Sequence, residues 1–517
     1  MKLAKFKLKN FRGYKDEVEI DFGNLTAFVG KNDIGKSTVL EALDIFFNEG
    51  KGVVKFDKDD INKQALDDDN KVVFTVCFDD LPTSIVIDST NETTLQAEYL
   101  LNSNGQLEII KYPTAGTTAD KVFIKANHPT NSNCNDLLLK KQKDLQKIIK
   151  DNSITCDDQT KNAVMRTAIW NHFSSDLQLQ EIEIDVTKED AKAIWDKISN
   201  YLPIYSLFQS DRKNSDGDSE VQDPLKEAVK QILSDENICN KFNEIATEVK
   251  TKLQDVSNRT LAKVREMNPE IANSLSPVIP ENKSLKWADV FKSVSIAGDE
   301  NIPINKRGSG VKRLILLNFF RAEAERRKIE KGVSSIIYAI EEPETSQHTE
   351  HQKKLITALL ELANTDSTQV VVTTHSAALV RELQFEHLRL ITKDGTTKKI
   401  ESVLPNQLPY PSLNEVNFLA FTEITEEYHN ELYGFIEAEY SLTEYKKGKP
   451  TMPYNNIKRG TQVPEQVILT EYIRHQIHHP ENQQNTRYVP KQLKESIELM
   501  RKFIESKRKE LNDDATD

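Results

Sequence analysis

The sequence predicts an α/β protein with a mixed β-sheet core, an inserted helical arm and an all-α C-terminal domain. Three observations lead to this prediction. Over residues 1–47, strand patterns and a buried apolar run lead into a glycine loop and an amphipathic helix. A strand–helix–strand alternation begins again at residue 336. Between and after these two segments, charged stretches repeat their apolar residues at helical spacing.

These patterns divide the chain into a first lobe (1–134), the helical arm (135–285), a second lobe (286–399) and the helical C-terminal domain (400–517). Further strands are predicted at 71–78, 84–87, 107–112, 122–125 and 290–297. Helices are predicted at 137–150, 191–201, 224–267, 311–329, 351–364, 412–440, 464–477 and 490–511. Residues 446–460 are polar and are expected to form a loop.

Composition limits the class of protein. The chain has 517 residues, of which 38% are apolar and 29% charged, so we expect two or three folded domains. Its net charge of −12 means that any nucleic-acid binding needs a local basic patch. The four cysteines form no CxxC pair, which predicts reduced thiols in a cytoplasmic protein. We expect no signal peptide and no membrane span, because long apolar runs are absent from the sequence.

The glycine loop carries the most specific motif. Residues 30–37, GKNDIGKS, fit the pattern G-x-x-x-x-G-K-[ST], between a buried strand and a helix. Glycines let backbone N–H groups surround a phosphate, and the helix N-terminus favours negative charge. Lys36 is expected to reach the β- and γ-phosphates of a nucleotide, and the Ser37 hydroxyl to hold Mg²⁺. The alternative is a glycine turn that happens to precede a helix.

A second motif follows the apolar strand at 336–340, where Glu341 and Glu342 stand at its end. One carboxylate in such a position assists Mg²⁺, and the next orients the attacking water. The first position is more often Asp, and the longer Glu341 suits a metal contact through water. The alternative is an ordinary strand that ends in solvated acids.

Two weaker motifs gain weight from their order along the chain. Residues 306–313, KRGSGVKR, open a predicted helix, and their backbone amides can bind a γ-phosphate. Read in isolation, that segment is a helix N-cap with basic flanks. His375 follows a buried strand, where it can sense the γ-phosphate, although a histidine there is commonly structural.

These motifs together resemble a known family. The segments KLKNFRGYKD (7–16), FGNLTAFVGKNDIGKSTVLEALDIFF (22–47), EEPETSQH (341–348) and TTHSAALV (373–380) resemble the ABC-type, SMC-like ATPases related to RecF and OLD (overcoming lysogenization defect). The amino-acid sequences of the last two segments are especially similar to those of OLD-like and Septu-type (PtuA) ATPases of bacterial anti-phage systems. The resemblance covers roughly residues 1–395. OLD nucleases continue with a Toprim domain marked by Glu-Gly and Asp-x-Asp, and residues 396–517 contain neither.

The resemblance implies an ABC-type ATPase head that dimerises around ATP and Mg²⁺. It also implies roles for individual residues. Glu341 would contact Mg²⁺, and Glu342 would orient the attacking water. His375 would be the switch residue that senses the γ-phosphate. Arg12 would lie near the nucleotide, while Ser309 and Gly310 would reach the partner's nucleotide. The residues that would grip the phosphates are Gly30, Asn32, Gly35, Lys36, Ser37 and Thr38. The glutamine that usually joins the Mg²⁺ shell is not identified, since Gln64 lies too far from a strand end.

A basic cluster closes a predicted helix in the C-terminal domain. Within residues 473–479, Arg474 and His479 resemble the R-x4-6-H signature of HEPN ribonucleases. An arginine can clamp a scissile phosphate, and a histidine can move the proton of a 2′-hydroxyl without metal. Two alternatives stay open. Cations at a helix C-terminus complement its dipole, or His475 and His479 bind zinc, although no further ligand stands at zinc spacing.

Three functions follow from these interpretations. The first is an anti-phage ATPase that controls a nuclease acting on tRNA, other RNA or DNA. That nuclease would be the C-terminal domain itself or a separate HNH-type partner. The second is a RecF-like clamp for DNA repair. The third is an interaction module in which ATP locks an oligomer.

Overall fold

The computed structural model describes most of the chain. The described residues are 1–49, 52–65, 71–87, 92–115, 120–209, 236–267, 335–345, 349–395, 397–458 and 461–514, with isolated positions between 318 and 332. The chain divides into two compact units. The first comprises residues 1–210 with 323–517, and the second comprises residues 211–322.

The regular elements have the following bounds. The strands are β1 (Lys2–Lys9), β2 (Val18–Asp21), β3 (Leu25–Val29), β4 (Val73–Asp79), β5 (Leu107–Tyr112), β6 (Lys121–Pro129), β7 (Leu179–Asp185), β8 (Ile204–Phe208), β9 (Ile336–Glu341), β10 (Thr368–Thr374), β11 (Leu388–Asp394), β12 (Thr397–Ser402), β13 (Thr451–Lys458) and β14 (Thr461–Ile468). The α-helices are α1 (Lys36–Asn48), α2 (Gln142–Asp151), α3 (Asn162–His172), α4 (Glu189–Ser199), α5 (Glu236–Met267), α6 (Thr349–Ala363), α7 (Ala377–Val380), α8 (Leu413–Phe421), α9 (Glu426–Glu439), α10 (Leu442–Lys446), α11 (Leu469–His478) and α12 (Pro490–Asp514).

Two six-stranded sheets form the centre of the first unit. One is antiparallel, in the order β2-β1-β4-β5-β6-β7. The other is mixed, in the order β12-β11-β3-β10-β9-β8, and only its β11–β12 pair is antiparallel. One hydrophobic core joins both sheets to α1, with Phe6 and Phe74 from the first sheet and Phe28 from the second. The parallel strands β3, β9 and β10 are buried along their whole length, as expected for the middle of an α/β sheet.

The C-terminal helices form a separate hydrophobic core. Helices α9, α11 and α12 meet around buried side chains that include Leu432, Ile473 and Ile497. A buried ion pair also holds this bundle, because the Arg501 guanidinium contacts both carboxylate oxygens of the fully buried Glu415. The predicted α/β class with a mixed sheet and C-terminal helices is therefore confirmed.

The C-terminal part is not all-α, which corrects one prediction. Strands β13 and β14 form a hairpin where a loop (446–460) and the start of a helix (464–477) were expected. Pro453 and Pro464 interrupt the strand pattern, so the sequence does not predict the hairpin. Each strand of a two-stranded hairpin has one edge without a partner strand, and a proline can be accommodated where its missing N–H would face that edge. The predicted helix at 412–440 is also two helices, α8 and α9, separated at Thr422, which has a left-handed backbone.

Two strands lie inside the segment that was predicted as a helical arm. Strand β7 is an edge strand of the antiparallel sheet, and its largely exposed side chains weaken the strand signal in the sequence. Strand β8 is a short buried edge strand of the mixed sheet, parallel to β9. The predicted strand at 84–87 is only a single bridge between Ile85 and Thr93.

In the second unit, the structure describes the 32-residue helix α5. Its apolar residues Ile245, Val249, Leu253 and Val256 recur at helical spacing and are about half exposed within the described part of the chain. The predicted loop at 214–223 and strand at 290–297 lie outside the described residues, as does most of the predicted helix at 311–329. Among the described helices, none combines the length and the apolar character that crossing a bilayer requires.

Candidate ATP site

The glycine loop lies between β3 and α1, as predicted. Gly30 and Gly35 have backbone φ angles of 157° and 112°, which favour glycine. A Cβ atom on Gly30 would lie 2.9 Å from the Ile391 carbonyl oxygen, so the loop has no space for a side chain there. The loop therefore has the tight, side-chain-free backbone that binding a phosphate requires.

Lys36 is buried at the first position of α1. Its ammonium group donates hydrogen bonds to the carbonyls of Gly30 at 2.9 Å and Lys31 at 3.0 Å. Burial lowers the pKa of Lys36, and the nearby carboxylates of Glu342 and Glu344 oppose that shift. The ammonium group of Lys36 is thus held by the loop and is close enough to the acidic end of β9 to interact electrostatically with it.

The Glu341–Glu342 pair ends β9 at the same edge of the sheet as the loop. Glu341 is buried, while the Glu342 side chain is 26% exposed. The Glu342 backbone N–H donates to the Thr373 carbonyl oxygen and hydroxyl at 3.0 and 3.2 Å. Its φ of 40° is a left-handed conformation that non-glycine residues seldom adopt outside functional sites. These two contacts with β10 hold the backbone of Glu342 at the end of β9.

The predicted switch histidine follows β10, the parallel neighbour of β9. His375 Nδ1 lies 3.2 Å from Glu342 Oε1 and 3.6 Å from Glu344 Oε1. Glu344 in turn accepts hydrogen bonds from the Thr374 hydroxyl at 2.7 Å and the His375 backbone N–H at 3.1 Å. Sequence reasoning missed Glu344, which positions the backbone of the switch segment.

Arg12 lies beside the loop, but two acidic side chains hold its guanidinium group. Arg12 Nε donates to Asp60 at 2.7 Å, and its Nη1 contacts Glu41 on α1. Gln209, directly after β8, donates to the other Glu41 oxygen at 3.1 Å. Gln209 is thus a glutamine at a strand end, which the sequence analysis did not single out. The recognisable signal was the short, mainly apolar run IYSLF (204–208), which Gln209 follows directly.

The remaining predicted residues are only partly described. Ser37 and Thr38 are half-buried in the first turn of α1, and Asn32 is exposed in the loop. Ser309 and Gly310 lie outside the described residues. Within the described part of the chain, no group of three or more His, Cys, Asp and Glu side chains forms a metal site. The predicted Mg²⁺ site differs from such a cluster, because it consists of the Ser37 hydroxyl, one strand-end carboxylate and phosphate oxygens.

Comparison with known protein families agrees with this geometry. A family model described as an AAA ATPase domain matches residues 1–380. The chain belongs to this ATPase family. The match covers both sheets except β11 and β12, and it includes the glycine loop, the Glu341–Glu342 pair and His375.

Two curated relatives of the ATPase are nucleases by name. An OLD nuclease of Thermus scotoductus is 30% identical over 118 residues, which are 22% of this chain and 21% of that protein. Endonuclease GajA of Bacillus cereus is 22% identical over 412 residues, which are 77% of this chain and 59% of that protein. The aligned parts therefore span less than two thirds of either relative.

Solved SMC head structures are also similar to the ATPase. A head bound to the C-winged helix domain of ScpA matches with a TM-score of 0.36 and 14% identity, covering 78% of this chain and 97% of that one. The SMC head domain from Thermotoga maritima matches with a TM-score of 0.32 and 13% identity, covering 78% of this chain and 100% of that one.

The C-terminal basic cluster lies on α11, outside the part of the ATPase that the family model matches. The Arg474 guanidinium stacks 3.8 Å from the centre of the Tyr433 ring, and its Nη1 lies 3.7 Å from Glu437. His479, at the end of α11, contacts Glu481 at 3.2 Å and is 56% exposed. Among the described contacts, none joins Arg474 to His479. His475 packs against the Tyr454 ring instead.

A buried polar chain runs through the same bundle. His429 Nε2 lies 3.0 Å from the Ser496 hydroxyl, which donates to Thr470 at 2.9 Å. The Tyr445 hydroxyl lies 2.8 Å from that threonine, and all four residues are buried. Burial, with smaller contributions from Arg474 and His478, lowers the pKa of His429 to about 4. His429 is therefore neutral in the folded ATPase at neutral pH.

We predict that acid destabilises this bundle through His429. The unfolded chain protonates this histidine near pH 6.5, whereas the folded one resists protonation until about pH 4. Stability is therefore fully present above pH 6.5 and falls as the pH drops toward 4, by on the order of 3 kcal/mol. Thermal unfolding midpoints between pH 7 and 4.5 should fall less steeply in His429→Gln than in the wild type. The exposed His172→Gln is the matched control, and equal slopes in all three proteins would contradict the prediction.

Proposed function

We propose that this chain binds ATP with Mg²⁺ and hydrolyses it. One observation carries the proposal: the glycine loop, Glu342 and His375 follow the carboxyl ends of three neighbouring parallel strands, β3, β9 and β10. Lys36 and the loop amides would hold the phosphates, and Ser37 and Glu341 would serve Mg²⁺, with Gln209 beside them. Bound Mg²⁺ would neutralise charge that develops on the phosphates. Phosphate release from ATP by the purified chain tests the proposal, with Lys36→Ala and Glu342→Gln as the decisive variants.

The chemistry assigned to this chain's own residues is simple. Glu342 would accept a hydrogen bond from the attacking water and hold it in line with the γ-phosphate. His375 Nδ1, 3.2 Å from Glu342 Oε1, would sense whether the γ-phosphate is present next to that water. Lys36 would exchange its two carbonyl contacts for phosphate oxygens, to which an ammonium group binds more strongly. Ser309 and Gly310 of a second copy would complete the site in a head-to-head dimer.

The proposed role of this ATPase is to control a nuclease in anti-phage defence in the cytoplasm. The names of the two curated relatives support a link to nucleases. Contacts between α7, which follows His375, and α8 support a route by which the ATP site could control the C-terminal bundle. The Asn417 side-chain amide on α8 donates to the Ala377 carbonyl on α7 at 3.2 Å. Arg381, directly after α7, binds Asn414 at 3.0 Å and Glu423 at 2.7 Å. Movement of His375 with the nucleotide would thus reach the C-terminal bundle through α7 and α8.

The nuclease itself has two candidate sources. The first is a HEPN-like ribonuclease in the C-terminal bundle that uses Arg474 and His479. Two features favour it: Arg474 Nη1 is buried without a hydrogen-bond partner among the described residues, and His479 is open to solvent. The second is a separate HNH-type partner, for which the bundle would be only a docking domain. A RecF-like repair clamp is the third function, and strongly salt-dependent binding to duplex DNA would favour it.

Incubation of the purified chain with tRNA in EDTA tests the ribonuclease candidate. We expect cleavage that leaves 2′,3′-cyclic phosphate ends, and a loss of at least about 100-fold in Arg474→Ala and His479→Ala. Arg259→Ala and His172→Ala, at exposed positions outside residues 473–479, should cleave like the wild type. Intact RNA, or equal cleavage by all variants, would exclude the C-terminal nuclease. Cleavage that appears only after a partner protein is added would favour the second source.

A further inference from the structure

A lysine from β12 lies against the phosphate loop, outside residues 1–380. Strand β11 runs parallel to β3, with Leu390 beside Val29, and therefore ends next to the loop. Strand β12 returns antiparallel to β11, which brings Lys398 opposite Lys393. The hairpin packs so closely that the Ile391 carbonyl leaves no room for a Cβ on Gly30. This edge of the sheet thus forms one wall of the site.

The Lys398 ammonium group lies between two glycines of the first lobe. A Cβ atom on Gly35 would stand 2.9 Å from Lys398 Nζ, and a Cβ on Gly13 would also clash with it. The same Nζ lies 5.2 Å from the centre of the Tyr14 ring, and the Tyr14 hydroxyl donates to the Gly35 carbonyl at 3.0 Å. The charge of Lys398 is therefore adjacent to the residue that precedes Lys36.

Lys398 lacks a neutralising partner in the described part of the chain. No ion pair or hydrogen bond with a carboxylate involves it there, whereas Arg12 nearby is held by Glu41 and Asp60. Burial lowers the pKa of Lys398, and the charge of Lys393 lowers it further. Like charges directly opposite each other on two strands are unfavourable. An anion bound at the loop would offset both costs.

We propose that Lys398 is a second lysine that binds the phosphates of the nucleotide held by the Lys36 loop. This inference rests on the proposed binding of ATP and adds a ligand from outside the matched ATPase domain. An ammonium group on a long flexible stem is suited to a polyphosphate, because it is a mobile point charge. The β11–β12 hairpin would then tighten on the loop when a nucleotide binds.

Binding of ATP and ADP to the full chain tests this inference, measured by calorimetry in Mg²⁺ buffer. We expect Lys398→Ala to weaken ATP binding by about tenfold, the loss of one charge-assisted contact. Lys398→Arg should restore part of the affinity. Lys399→Ala is the matched control, because this exposed neighbour on the same strand removes an equal charge, and its affinity should stay within about twofold. The salt dependence of ATP binding should be shallower in Lys398→Ala than in the control.

The possible outcomes separate the two proposals. If Lys398→Ala binds ATP like the wild type while Lys36→Ala does not, Lys398 is no ligand and the ATP site stands. A fall in the melting temperature of nucleotide-free Lys398→Ala, with unchanged affinity, would make Lys398 a structural residue and overturn the inference. If Lys36→Ala also binds ATP normally, the ATP site itself is wrong. Weaker ATP binding by Lys398→Ala, with an unchanged melting temperature, would support the proposal that Lys398 binds the phosphates.

Discussion

Replacing Glu342 with Gln is expected to slow ATP hydrolysis by about 100-fold or more while ATP binding persists. The side-chain amide keeps the size of Glu342 but cannot accept a proton or orient water as a carboxylate does. The backbone contacts of residue 342 to Thr373 do not involve the side chain, so the strand end should keep its shape. Phosphate release under single-turnover conditions, together with the ATP dissociation constant, measures the two effects separately.

Glu342→Gln should also trap the head dimer, because ATP would remain between two copies. Mass photometry with ATP should show a dimer that persists in this variant and disperses in the wild type as ATP is consumed. Glu361→Gln, at an exposed position on α6, is the control and should hydrolyse ATP normally. Rapid hydrolysis by Glu342→Gln would mean that another residue orients the attacking water. Glu344, two residues further along the chain, would then be the next candidate.

Lys36→Ala should lose at least about 100-fold in ATP affinity, because its charge-assisted contacts with phosphate oxygens disappear. The lysine is 5% exposed and already points into the loop, where it holds the Gly30 and Lys31 carbonyls. Its removal also leaves Glu342 and Glu344 without the nearest buried cation, which raises the local negative charge that a polyphosphate must approach.

Lys31→Ala provides the comparison for Lys36→Ala. Its side chain is exposed in the same loop, so the variant removes one charge and leaves the buried contacts in place. We expect its ATP affinity to stay within about threefold of the wild type. Calorimetry with ATP and Mg²⁺ checks both variants. Equal losses in the two would mean that net charge, rather than the position of Lys36, determines ATP binding.

Much of the candidate ATP site was predictable from the sequence because its signals are local. A buried strand, two glycines and an amphipathic helix follow one another within 24 residues, from Leu25 to Asn48, and physical rules connect each to its neighbour. The same holds for Glu342 and His375, since each directly follows an apolar strand. In the C-terminal part the helices were predictable, but the hairpin β13–β14 was not, because its prolines interrupt the usual strand pattern.

The sequence by itself determined which short segments carry the glycine loop, the acidic strand end and His375 of the candidate ATP site. Only the tertiary structure decided which other side chains surround them. Gln209 and Lys398 reach the two sides of the site because the strand order is β12-β11-β3-β10-β9-β8. Arg12 is neutralised because Glu41, on α1, and Asp60, in the segment after that helix, both contact its guanidinium group. The physical reason is that local periodicity fixes the element and its buried face, whereas strand order depends on packing between residues hundreds of positions apart.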